Sequence, residues 1–331
     1  MRGALERKLL DSWRQRGVLA WGLLPVSLIY RGLVALKCVL YRWGLLKTER
    51  LPVPVIVVGN VIAGGAGKTP ATLAIAEHLR ERGWRPGIIS RGYGRRTRDC
   101  REVRPADDPL DAGDEALLLR RRTGVPVFVA ARRAEAGKAL LAAYPSVNVL
   151  VCDDGLQHLA LGRDVEVCVF DARGVGNGWL LPAGPLREPW PRSVDFVLCA
   201  PDAPLSSPPA RSFSVRRTLA MNAVRADGSQ VALTNLRGQP VTALAGIAQP
   251  EAFFSMLRAE GLTLAHAIAL PDHDNFADLP ELPGANQPLV CTEKDAAKLW
   301  RYWPDALAVP LMLHVPDAFL EELGAKLSSR A

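Results

Sequence analysis

From residue 53 onward the 331-residue chain alternates short apolar runs with stretches whose apolar positions recur every three or four residues. The first pattern is that of strands, the second that of helices with one buried face. Strands are predicted at 54–59, 86–90, 125–130, 147–152, 165–170 and 194–200, and helices near 68–82, 112–122 and 132–144. Runs such as Val147-Asn-Val-Leu-Val-Cys152 are continuous rather than alternating, so both faces of these strands must be covered. That implies a mainly parallel α/β sheet with helices on both faces. The Pro-rich stretch 201–209 interrupts the pattern and reads as a linker. A second series follows, with strands at 241–247, 263–270, 288–292 and 307–315 and helices at 250–260, 293–300 and 316–328. The expected organisation is an N-terminal segment 1–45, a core domain 46–210 and a smaller α/β domain 211–331.

The N-terminal segment has its own pattern. Val26, Leu28, Ile29, Leu33, Val34, Leu36, Val39 and Leu40 are interrupted by Arg31, Lys37 and Arg42. At about 100° per residue, Ser27, Arg31 and Arg42 share one face with Lys37 at its edge, which leaves a broad apolar face. The uncharged run Val18 to Tyr30 contains Pro25 and falls short of the roughly 20 residues of a spanning helix. No small-residue cleavage site of a signal peptide follows it. Residues 1–50 hold ten Lys/Arg against three Asp/Glu, a surplus of seven that equals the net charge of the whole chain. The basic balance therefore does not point to nucleic acid. It points to an amphipathic helix lying on an anionic membrane surface, with Trp21, Tyr30, Tyr41 and Trp43 near its boundary. The alternative is a helix packed on the protein's own core. Six cysteines, at 38, 100, 152, 168, 199 and 291, form no C-x-x-C pair and mostly lie in apolar runs. They read as buried thiols of a reducing compartment, and with no signal peptide the catalytic part is expected to face the cytoplasm.

The candidate chemistry begins at Val55-Ile-Val-Val-Gly-Asn-Val-Ile-Ala-Gly-Gly-Ala-Gly-Lys-Thr-Pro70, a β-branched strand running into a glycine-rich turn and a helix. Gly64, Gly65, Ala66 and Gly67 can turn backbone N–H groups toward phosphate oxygens. Lys68 can reach the β- and γ-phosphates of ATP, and Thr69, followed by Pro70, offers a hydroxyl to Mg²⁺. Ile62 stands where the usual pattern has its first glycine. The fold class is thus P-loop NTPase-like. Such a loop needs a carboxylate at the end of a neighbouring strand, because Mg²⁺ prefers hard oxygen ligands. Asp153-Asp-Gly-Leu-Gln-His158 supplies two, and Gly155 allows a turn that presents Gln157 and His158 to the same crevice. One acid could bind the metal while the other orients the loop. Asp114 and Glu115 open an apolar helix, where acids also serve as caps. His273 lies in a polar loop, and Arg91-Gly-Tyr-Gly-Arg-Arg96 could bind an acidic substrate or simply be solvated.

In order along nearly the whole chain these pieces resemble the tetraacyldisaccharide 4'-kinase (lipid A 4'-kinase) family. The carriers are Val58-Gly-Asn60, Gly64-Gly-Ala-Gly-Lys-Thr-Pro70, Ser90-Arg-Gly-Tyr93, Gly113-Asp-Glu115, Asp153-Asp-Gly-Leu-Gln-His158, Leu181-Pro-Ala-Gly-Pro-Leu-Arg-Glu188, Asp272-His273 and Thr292-Glu-Lys-Asp295. A loop without the first glycine is the family's own form. The resemblance implies transfer of the ATP γ-phosphate to the 4'-hydroxyl of tetraacyldisaccharide 1-phosphate at the cytoplasmic face of the inner membrane. It also implies Asp114 as the base, His273 as its orienting partner, and Asp154 as first candidate for Mg²⁺, with Asp153, Gln157 and Glu115 in support. Arg91, Tyr93, Arg133 and Arg187 would contact substrate or nucleotide, although Arg132 and Arg133 are adjacent and equally placed. Thr292-Glu-Lys-Asp295 would cap a helix or take part in binding or domain closure. Two rivals, a conformational NTPase switch and a membrane-bound nucleotide sensor, would not phosphorylate a lipid.

Overall fold

The computed structural model describes residues 11–205, 211–277, 279, 282–284 and 286–329. Part of the 201–209 linker and residues 1–10 of the basic segment lie outside the described residues. Helix α1 (Val18–Arg42) comes first, followed by a sheet built from β1 (Val55–Gly59), β2 (Pro86–Ser90), β3 (Arg101–Glu102), β4 (Val127–Val129), β5 (Val149–Asp153), β6 (Val165–Phe170), β7 (Phe196–Cys199) and β8 (Arg211–Ser214). Their order is β3-β4-β2-β5-β1-β6-β7-β8, parallel throughout except for β3.

Alternate residues of the central strand show why it reads as continuously apolar. Ile56 and Val58 pack into one core with α2 (Lys68–Glu81) and α4 (Asp114–Thr123), whereas Val55 and Val57 pack into the other with α5 (Arg133–Ala143). Both faces are dry, as a doubly covered parallel strand requires. The predicted helix over 112–122 is two pieces, because Gly113 at φ +91 breaks it into α3 (Pro109–Ala112) and α4.

The second lobe carries a six-stranded sheet of β10 (Asn222–Val224), β11 (Gln230–Ala232), β12 (Pro240–Ala245), β13 (Thr263–Ala269), β14 (Leu289–Thr292) and β15 (Leu307–Val309). Helices α6 (Pro250–Ala259) and α7 (Glu293–Leu299) accompany it. The single strand predicted at 307–315 is two strands. Pro310 has no N–H to continue the ladder, so β16 (Leu311–His314) leaves the sheet and pairs antiparallel with β9 (Arg216–Leu219). The division near residue 210 is crossed by two elements. Strand β8 extends the first sheet, and the last helix α8 (Asp317–Ser328) returns to the first core, where Phe319 meets Phe196 and Phe213 at 5.4 and 5.5 Å.

Helix α1 runs unbroken through Pro25. At 25 residues with a mean hydropathy of 1.8, it is by length and composition apolar enough to cross a membrane, a test that the short uncharged run had appeared to fail. Ser27 does not share a solvent face with Arg31 and Arg42. It is buried against the protein, where its hydroxyl donates to Leu180 O at 2.9 Å and accepts from the Ala183 N–H at 2.9 Å. Tyr30 Oη donates to Arg187 O, and Lys37 Nζ to Gln157 O. Leu28, Ile29, Leu33 and Leu36 remain more than half exposed. The cysteines are all free, with 152, 168 and 291 buried, 100 and 199 half-buried, and Cys38 exposed on α1.

Candidate active site

Gly64 and Gly67 sit at φ +87 and +90, a region that strains any residue with a Cβ, so the turn from β1 into α2 needs glycine at both. The carbonyls of this loop are held from outside. Arg217 Nη2 donates to Ala66 O at 2.6 Å, while Arg173 Nη2 and Gln249 Nε2 donate to Gly65 O at 3.0 and 3.2 Å. With the carbonyls engaged, the N–H groups at the start of α2 are the ones left for an anion.

Register carries the acids to the same place. Asp153 ends β5 opposite Val58 of β1. It is fully buried, accepting from Thr72 Oγ1 at 2.8 Å and from Thr69 Oγ1 at 3.5 Å. Burial, followed by the charges of Glu115 and Asp154, pushes its carboxyl up to about 7. Asp154 turns away at φ +50, with Lys68 Nζ at 3.6 Å and Arg187 Nη1 at 3.4 Å from its carboxylate. Burial alone would raise its pKa, but Lys68, Arg187 and Arg133 hold it below the usual carboxylate range. The structure therefore separates the pair, placing the Thr69 hydroxyl at Asp153 and the cations at Asp154.

Arg133 is buried and donates to Asp154 O at 3.1 Å, whereas the Arg132 side chain is 72% exposed beside Glu49. Of the two neighbours, Arg133 faces the site. Gln157 is placed differently from expectation: its amide nitrogen donates to Asn60 O and Glu188 Oε1, tying the acid loop to the end of β1. His158 Nε2 accepts from the Arg133 N–H at 3.3 Å, and burial with the nearby arginines pushes its pKa down to about 4, so it is neutral.

A second cluster forms across the two lobes. Asp114 opens α4 but does not cap it; the N-cap position is Gly113, and the Asp114 carboxylate turns to the other lobe. Its Oδ2 lies 3.1 Å from His273 Nδ1 and 2.8 Å from Lys298 Nζ. Burial pushes the Asp114 carboxyl up, but the His273 hydrogen bond and the Lys298 charge bring it below the usual range. His273 is held at φ +65, a backbone state costing about 1–3 kcal/mol that persists only where its surroundings enforce it. Its ring lies 4.9 Å from that of Tyr93, which is itself exposed, as is Arg91. Lys294 bridges Glu115 and Asp272 at 3.3 and 3.1 Å. Glu115 links the clusters, since its charge also acts on Asp153. Thr292 does cap α7, accepting from the Asp295 N–H, and the same helix delivers Lys294 and Lys298. Lys298, Arg217, Arg173 and Gln249 carry no signal in the sequence. A helical spacing of four from Lys294 to Lys298 was the one available hint.

A family model described as tetraacyldisaccharide-1-P 4'-kinase matches residues 19–328. Tetraacyldisaccharide 4'-kinase of Acidovorax sp. (strain JS42) is 60% identical over 98% of this chain and 96% of its own length. That of Delftia acidovorans is 56% identical over 98% and 95%, respectively. The solved structure of LpxK from Aquifex aeolicus in complex with ATP superposes with a TM-score of 0.80 at 29% identity, covering 95% of this chain and 99% of the other. With a nucleotide loop, an acid pair at its foot and a family match over nearly the whole length, this chain belongs to the tetraacyldisaccharide-1-phosphate 4'-kinase family.

Proposed function

We propose that Asp114 is the general base of the family's reaction. The chain is an ATP-dependent lipid A 4'-kinase, phosphorylating tetraacyldisaccharide 1-phosphate during lipid A synthesis. A sugar hydroxyl is a poor nucleophile until its proton is accepted, and the rest of phosphoryl transfer is mostly positioning and charge neutralisation. Asp114 takes the 4'-hydroxyl proton as that oxygen bonds to the γ-phosphorus. The bond from phosphorus to the bridging oxygen breaks, and ADP departs. His273 fixes the carboxylate's orientation. Gly64 to Gly67 and the start of α2 cradle the ATP phosphates, with Lys68 on the β/γ side. Arg133 and Arg187, both gathered at Asp154, neutralise phosphate charge, while Arg91 and Tyr93 on the open loop meet the disaccharide. The observation that carries this reading is the Asp114–His273 contact at 3.1 Å, made between lobes and joined through Glu115 to the acid pair below the loop.

The donor set suits Mg²⁺. Thr69, Asp153 and Asp154 offer hard oxygens, and Glu115 and Asp154 add to the upward push that burial gives the Asp153 carboxyl, so a cation beside it is favoured. Among the described residues no group of three or more His, Cys, Asp or Glu forms a dedicated cage, so phosphate and water would complete the shell. Bound there, Mg²⁺ would neutralise charge on the β- and γ-phosphates.

We assign the enzyme to the cytoplasmic face of the inner membrane, where ATP and a membrane-bound lipid would both be within reach. Helix α1 supports a lying rather than crossing orientation, because polar contacts from Ser27 to Lys37 fasten one of its faces along the catalytic body. Its exposed apolar face would rest among the acyl chains. The test is incubation with γ-labelled ATP, Mg²⁺ and tetraacyldisaccharide 1-phosphate in detergent. Label at the 4' oxygen that vanishes in Lys68→Ala and Asp114→Asn is expected. Full labelling by Asp114→Asn would remove the base assignment, and phosphate released without labelled lipid would favour an NTPase switch.

A further inference from the structure

Asp114 is gripped by two groups, and only one of them, His273, belongs to the reading above. The second is Lys298, from the last turn of α7 in the other lobe. Its side chain is 5% exposed, and the ammonium lies 5.7 Å from the Phe276 ring centre and 2.8 Å from Asp114 Oδ2. A charge this deeply buried is retained only where its partner is fixed. His273 contacts the same oxygen, Oδ2. We propose that Lys298 is a positioning residue of the phosphoryl-transfer site, pinning one carboxylate oxygen of Asp114 from across the lobes so that the other is left to accept the hydroxyl proton. This rests on Asp114 being the base.

The alternative, a simple clamp between lobes, has its own counterpart in the molecule. Helices α4 and α7 carry a second ion pair, Arg122 to Glu293, also at 2.8 Å. Arg122→Met therefore breaks a clamp of the same kind without touching Asp114. The other titratable groups around Asp114 are His273 and Asp272 on the loop after β13, Lys294 on α7 and Glu115 on its own helix. None of these is altered by substituting Lys298. Lysine next to a carboxylate favours its charged form, so removing it raises the carboxyl pKa. Activity that needs the deprotonated base is then lost sooner as pH falls.

The experiment compares Lys298→Met, Lys298→Arg and Arg122→Met in the detergent assay, across pH and alongside urea unfolding midpoints. Lys298→Met is expected to lower kcat by about tenfold or more while KM for ATP stays near its original value. The acid limb of its kcat/KM profile should move up by about one pH unit or more. Lys298→Arg, which keeps the charge, should leave that limb in place. Arg122→Met should lower the unfolding midpoint without moving the limb. If Lys298→Met does not fold, Lys298→Gln is read on the same limb. An unmoved limb with losses matching those of Arg122→Met would make Lys298 a clamp and overturn the proposal. Undiminished turnover by Asp114→Asn would instead bring down the base assignment, so the two failures are distinguishable.

Discussion

Asp114 and His273 lie 159 positions apart in the chain and 3.1 Å apart in the fold. Asparagine at 114 keeps the shape of the side chain and removes its ability to take a proton. Asp114→Asn should therefore lower kcat by about 10²–10⁴-fold with little change in KM for ATP, measured by steady-state labelling of the lipid. A different histidine gives a pH prediction of opposite character. His158 is held neutral, its pKa pushed from the ordinary 6.5 down to about 4 by burial and by Arg133 and Arg163. Protonation is easier in the unfolded chain, so the stability His158 contributes is complete above pH 6.5 and is lost as pH falls from there toward 4. His158→Gln should flatten the fall in unfolding midpoint across that window; a fall as steep as in the parent would disprove it. At Gly67, a Cβ would meet both a φ of +90 and the Arg217 guanidinium, so Gly67→Ala should abolish ATP binding measured by calorimetry.

Helix α1 gives the clearest prediction among the elements. Leu28, Ile29, Leu33 and Leu36 are exposed, so replacing all four by Gln should leave the fold intact and release the protein from vesicles containing anionic lipid. Each such side chain stabilises a buried state by about 1.5–3 kcal/mol, and undiminished sedimentation with the vesicles would rule out the interfacial role. The sequence made the amphipathic helix visible but assigned Ser27 to the wrong surroundings, because its periodicity cannot distinguish a polar face turned to water from one turned to backbone carbonyls. Central strands were legible for the opposite reason: β1 and β5 are dry on both sides, and dryness writes itself as a nearly unbroken apolar run. Strands β8 to β11 were not, since segments such as Arg211-Ser-Phe-Ser214 are short, largely exposed and polar. At the site, Lys68, Thr69, Asp153 and Asp154 follow from local chemistry. The pairing of Asp114 with His273 came only through resemblance, and Lys298 needed the packing of two helices from different lobes.

In the whole molecule the returning helix α8 bears most visibly on stability. Phe319 is fully buried against Phe196 and Phe213, so Phe319→Ala should cost about 3–5 kcal/mol, read from urea unfolding. Loss of less than about 1 kcal/mol would mean that α8 is not an integral part of the first core. The ribbon of β9 and β16 has a mechanical meaning. The chain enters the second lobe through β9 and leaves it through β16, and these strands pair directly, Arg216 opposite His314. The two lobes are thus bound like covers on a common spine. Opening about such a spine would draw lysine and histidine of one cover away from aspartate of the other. Orientation of the Asp114 carboxylate is then a gauge of closure, complete only when the book is shut.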